Sequence, residues 1–160
     1  MQIYERDVLT PAELWRLYCS VTESPAIWRE DSFADAGREC GFKRIQARRG
    51  YFSFEMARHT TGQAKVLSGH IEEIRLFIGS EPSDLSDELF EQDRQKIPLL
   101  AAEYSDFFRL HLGAPRRANH NDIFESKTYR VRVLASGMVW VVLSEHATLS
   151  RLNVDYWAVK

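Results

Sequence analysis

Between Lys127 and Glu145 two patterned segments flank a tight Gly-containing turn, and no other stretch of the chain limits the fold as sharply. From Thr128 to Leu134 the residues alternate, with Tyr129, Val131 and Val133 on one face and Thr128, Arg130 and Arg132 on the other, which predicts a half-buried strand. Met138 to Leu143 reads Met-Val-Trp-Val-Val-Leu and is apolar on both faces. Such a strand belongs inside a sheet, with both sides covered or one side meeting a partner. Ala135-Ser136-Gly137 closes the hairpin.

The rest of the chain supplies helices and further strands for that hairpin. Thr10-Pro11-Ala12-Glu13 is a helix start: Thr10 caps, Pro11 sits where its missing N–H costs nothing, and Glu13 completes a capping box. Leu14, Leu17, Tyr18 and Val21 follow at helical spacing until Ser24-Pro25. Phe33, Ala36, Gly37 and Cys40 share one face of a second short helix ending at Gly41. Its internal Gly37 costs about 1 kcal/mol against alanine unless another segment packs closely there.

From Phe42 the period becomes two, predicting strands to Ala47, from Tyr51 to Met56 and from Ile71 to Ile78, with Arg48-Arg49-Gly50 as the first turn. His59 to Gln63 is polar and reads as a loop, and Ala64 to Ser68 fits either a strand or its extension. Asp84 to Gly113 is helical in pattern with a break expected at Pro98. Beyond it Leu100, Ala101, Tyr104, Phe107, Phe108 and His111 or Leu112 form an amphipathic face. Pro115 to Asp122 reads as a polar connector, and Val154 to Val159 as a terminal edge strand. Layer logic then gives a single α+β domain over residues 1–160: an antiparallel sheet of five or six strands covered by helices, in the order ααβββαββ(β).

A chain of 160 residues buries enough surface to fold unaided. Its net charge of −2 argues against a nucleic-acid binder, which normally carries a basic excess on one face. The N-terminal Met-Gln-Ile-Tyr-Glu-Arg-Asp lacks a basic segment followed by an apolar core, and no run reaches the roughly 18 apolar residues of a membrane span, so a cytoplasmic location without membrane partners is expected. Cys19 and Cys40 have neither metal nor redox spacing and read as buried thiols.

The search for chemistry yields simpler structural accounts. His59, His70, His111, His120 and His146 lack the spacing of a zinc site, and no Gly-rich phosphate loop follows a strand, so neither metal nor cofactor is expected. Glu72 and Glu73 point to opposite faces of a strand unless a bulge intervenes, and read as edge or solvent charges. Cys40 reads as a packed small side chain. What stands out is the large aromatics, 12% of the chain. Trp140 or Trp157 would anchor a partner if its ring reached the surface.

Leu14-Trp15, Trp28-Arg29-Glu30-Asp31-Ser32-Phe33 with Gly41-Phe42, Leu112-Gly113-Ala114-Pro115 and the Val139 to Leu143 strand resemble small bacterial immunity-type α+β proteins, the cognate inhibitors encoded beside polymorphic or secreted toxins. The resemblance implies a non-enzymatic protein that binds a toxin domain and blocks its active site by shape and charge complementarity. Exposed loops point to Arg48, Arg49, Tyr51, Arg116, Arg117, His120 and Trp157 as contacts. Two other classes stay open. One is a dimeric secretion-chaperone-like protein holding an unfolded segment, and the other a small enzyme built around His59, His70, His120 and Glu72.

Overall fold

The computed structural model describes residues 8–56, 60–79, 95–136 and 138–146. Helix α1 spans Pro11–Thr22 and opens with both bonds of the capping box, Glu13 N–H to Thr10 Oγ1 at 3.1 Å and Thr10 N–H to Glu13 Oε1 at 2.9 Å. A 3₁₀ turn at Pro25–Trp28 buries Ile27 and Trp28, and α2 covers Phe33–Glu39. The space over Gly37 is taken by the Phe42 ring and Ile45, which explains a glycine inside so short a helix. Four strands follow: β1 (Lys43–Arg48), β2 (Tyr51–Met56), β3 (Thr60–Leu67) and β4 (His70–Ile78). After α3 (Ile97–Leu112) come β5 (Arg116–Ala118), β6 (Asn121–Glu125), β7 (Tyr129–Ala135) and β8 (Val139–Glu145).

All eight strands form one antiparallel sheet in the order β1-β2-β3-β4-β8-β7-β6-β5. Two four-stranded meanders therefore meet where β4 pairs with β8, from Ile74↔Leu143 to Ile78↔Val139. The order reads symmetrically about that seam, a duplication of topology with no repeat in the residues. The Met-Val-Trp-Val-Val-Leu segment lies on the seam, an interior position that accounts for its apolar character on both faces.

Register converts the sheet into rows. Ala47, Phe52, Ala64, Ile74, Leu143, Val131 and Phe124 follow one another across the strands, and a parallel row runs Phe54, Gly62, Leu76, Val141, Val133. Their buried members join Leu14, Tyr18 and Val21 of α1, Phe33 of α2 and Leu100, Tyr104 and Phe108 of α3 in one core. Tyr104 ties this layer to the N-terminal segment by donating its hydroxyl to the Leu9 carbonyl at 2.6 Å. The opposite row is Gln46, Ser53, Gln63, Arg75, Val142, Arg132, Ile123, Arg116, spanning roughly 34 Å at the usual strand spacing. Among the described residues that face carries no helix.

Several expectations need correction. The sheet has eight strands among the described residues, not five or six in all. His59 to Gln63 was expected to be a loop, yet β3 begins at Thr60 and settles Ala64 to Leu67 as strand, while β5 and the first two residues of β6 occupy the expected polar connector. The interruption expected at Pro98 takes the form of a turn at Lys96 followed by a new helix start at Ile97, with Pro98 in the first turn of α3, where no N–H is needed. Cys19 and Cys40 are half-buried rather than buried. The expected helix before residue 95 and the Val154 to Val159 strand fall outside the described residues. Among the described residues no helix is long and apolar enough to cross a membrane.

Candidate functional site

The β1–β2 hairpin turns at Arg49-Gly50, with Gly50 at φ +85° and its carbonyl accepting from Val66 N–H at 3.0 Å, so the turn is fastened to β3. Arg48 lies across from Tyr51 and bonds to the Gln46 side-chain oxygen and, at 3.4 Å, to Ser53 Oγ. Arg44 adopts φ +51° at the register break of β1 and pairs with Glu55 at 3.1 Å. These side chains rim a groove of about 410 Å³ on the helix-free face, with Thr61, Gln63 and Phe77 along it. Phe77 meets the Trp140 ring edge-on at 4.9 Å, and Trp140 Nε1 donates to the Ser136 carbonyl at 3.2 Å. Two rigid aromatics thus stand beside a polar, cation-rimmed groove, all carried on strands.

Charge along β1 is one-sided. Lys43, Arg44, Arg48 and Arg49 stand within seven residues that include no acid. Glu55 neutralises Arg44, whereas Arg48 bonds to neutral groups and Lys43 and Arg49 have no anionic partner among the described residues.

Towards the centre the same face turns inward. A bulge opposite Lys65 and Val66 lets Ile71 and Ile74 both face the core, and it brings Glu72 within 3.8 Å of Lys65 Nζ while Glu73 pairs with Arg75. Glu72 and Glu73 are therefore buried ion-pair members on an interior strand, not the edge or solvent charges expected. Over β6 and β8, Ile123 and Val142 are fully buried and form a second small apolar cluster. The helix-free face is open over β1–β3 and at the Phe77–Trp140 end of β4 and β8, and its row is buried at Ile123 and Val142.

The other expected contacts lie at the far edge of the sheet. Arg117 pairs with Asp122 at 2.6 Å, and Asn119 and His120 take φ values of +52° and +65° in a turn that the buried Asn121 braces through bonds to the Ala118 and Asn119 carbonyls. With α3 this turn encloses about 390 Å³ lined by Ala101, Ala102 and Ser105. Arg116 reaches Glu125 at 3.6 Å on the opposite side of β5. Arg48, Arg49 and Tyr51 thus sit at one edge and Arg116, Arg117 and His120 at the other, so the structure does not bring the two groups together. Trp157 and His59 lie outside the described residues.

The remaining histidines are dispersed. His70 lines a shallow depression of about 620 Å³ with Arg29, Glu30 and Asp31, His111 stacks on Trp15 at 4.1 Å, and His146 Nε2 lies 3.0 Å from the Ser126 carbonyl. Among the described residues no group of three or more His, Cys, Asp or Glu side chains is placed to hold a metal ion. Burial raises the Cys19 and Cys40 thiols above their ordinary value, which leaves them protonated and weakly nucleophilic at neutral pH. Tyr18 and Tyr129 are likewise raised, chiefly by burial, and the Glu145 charge adds to the shift at Tyr129.

No family model, no curated protein and no solved structure matches the chain. The site therefore rests on its own geometry. Sequence reasoning found Arg48, Tyr51 and Trp140 separately and missed Phe77, because the signal joining them is the β4–β8 pairing that puts Phe77 opposite Trp140.

Proposed function

We propose that this chain is a non-enzymatic binding protein that holds a partner protein against the open half of its helix-free sheet face. In this reading it serves as an immunity protein, acting in the cytoplasm to occlude a cognate toxin domain. The observation that carries the proposal is the Phe77–Trp140 pair beside a groove rimmed by Arg44 and Arg48. Trp, Tyr and Arg supply most of the binding energy at protein interfaces, and strand-borne rings lose little freedom when a partner arrives. Resemblance to immunity-type proteins suggests the toxin. Its residues Leu14, Trp28, Phe33 and Phe42 are core members, so they speak to architecture, and the recognition surface has to be found in the groove.

The test is growth. Co-expression with a toxin domain encoded beside this protein should restore growth to cells that the toxin otherwise kills. Arg48→Glu combined with Arg49→Glu should weaken that protection and leave the thermal unfolding midpoint unchanged, since both side chains are exposed. Full protection by the double variant removes the hairpin from the interface, and failure of the wild-type chain to protect removes the immunity reading.

A further inference from the structure

Among the described residues β1 is an edge strand: it pairs with β2 alone, and no strand pairs with its outer side. Such an edge presents unpaired N–H and C=O groups that a second strand can satisfy. We propose that β1 takes an acidic, extended segment of a partner protein as a ninth strand, the carboxylates of that segment reaching over the groove to Arg48 and its neighbours. The proposal rests on the reading that the helix-free face binds a protein, and adds the partner's chemistry and conformation.

Three observations converge on that occupant. The first is charge: in a chain of net charge −2, the Lys43–Arg49 stretch carries four cations and no acid, and three of the four have no anionic partner among the described residues. The second is side-chain direction. Gln46 and Arg48 lie opposite Ser53 and Tyr51, and they line the groove with Arg44 on the helix-free side, whereas Ile45 packs against the core. In an added strand alternate side chains share a face about 7 Å apart, so acidic residues at every second position would meet this row while the residues between them turn away. The third is the acceptor chemistry. Guanidinium groups form short, charge-assisted bonds to carboxylates, and Arg48 now holds only neutral side chains that a carboxylate can displace. A nucleic-acid strand would also meet the cations, but it has no backbone donors and acceptors in strand register for the open edge. Cations on an edge strand also have a purely protective use, discouraging pairing between copies of the chain.

The experiment separates these. A fluorescein-labelled octapeptide of alternating threonine and glutamate is titrated with the full chain by fluorescence anisotropy, beside the same peptide with lysine in place of glutamate and an eight-nucleotide oligothymidylate. Saturable binding of the acidic peptide, weakened at least tenfold by Arg48→Glu and unchanged by Arg116→Glu at the far edge, is expected, with slowed amide exchange along β1. Equal binding of the lysine peptide, tighter binding of the oligonucleotide or no binding at all would overturn the proposal, and these comparisons need no altered protein. Self-association of the Arg48→Glu variant with undiminished peptide binding would assign the cations to edge protection instead. If the peptide fails while a toxin partner still depends on Trp140, the acidic strand falls and the proposed function stands; if neither binds, both fall.

Discussion

Replacing Arg75 with methionine is expected to destabilise the protein by about 3 kcal/mol, because it strands the Glu73 carboxylate inside the sheet. Glu73 is 2% exposed, and among the described residues its one partner is Arg75. Removing one member of a buried pair is far more damaging than removing both, since the surviving charge keeps its desolvation penalty without the compensating attraction. Arg75 retains some contact with water, with 27% of its side chain exposed, which holds the expectation to the lower end of the usual range. The double replacement Glu73→Met with Arg75→Met should recover most of the loss. Urea unfolding of the three variants checks this. A cost below about 1 kcal/mol for Arg75→Met, or no recovery in the double variant, would show that Glu73 is not held as described.

Gly62→Ala is expected to cost about 3 kcal/mol, at the upper end of what overpacking a core usually does. A Cβ at this position would lie 2.8 Å from the Arg75 carbonyl oxygen and inside the Phe54 ring. That ring has little room to retreat: it stacks on Phe42 at 4.1 Å and approaches Phe33 at 6.1 Å. The clash therefore falls on the contact between β2, β3 and α2, and displacing Phe54 would disturb the strands that frame the groove. The same unfolding measurement applies, and a change within about 0.5 kcal/mol would mean that the Phe54 stack is looser than its geometry implies.

The same glycine shows why part of this fold is illegible from residues alone. The first half of β3 reads as a loop because Thr61 and Gln63 face the open groove and are polar, while Gly62 is small on the core side to admit a ring from β2. A strand whose outer row is a polar groove and whose inner row contains a glycine loses the alternation that marks strands in sequence. β5 and the start of β6 are hidden for a related reason, since Arg117 and Asp122 satisfy each other across the pair and the only apolar run there is the two-residue Ile123-Phe124. The features that were legible are those whose causes are local: the α1 capping box, the Tyr51–Met56 strand and the hairpin of β7 and β8. Pro98 was ambiguous because a proline inside a helical pattern marks either a break or a first turn.

The candidate site divides in the same way. An exposed arginine turn and a tryptophan anchor can be suspected from residue type. Their meeting depends on β4 pairing with β8 across more than sixty residues of chain, which no short-range pattern records. Arg116, Arg117 and His120 were expected as contacts because exposed loops commonly carry recognition, and the strand order puts them at the other end of the sheet from Arg48 and Tyr51.

The most direct measurement of the central claim is a calorimetric titration of a cognate toxin domain with the wild-type chain, with Trp140→Ala, and with Leu110→Asp on the exposed side of α3. Binding through the helix-free face predicts at least a hundredfold loss of affinity for Trp140→Ala, about 2.7 kcal/mol, with Leu110→Asp indistinguishable from wild type. Loss of affinity in Leu110→Asp with Trp140→Ala unaffected would place the partner on the helices and contradict the account.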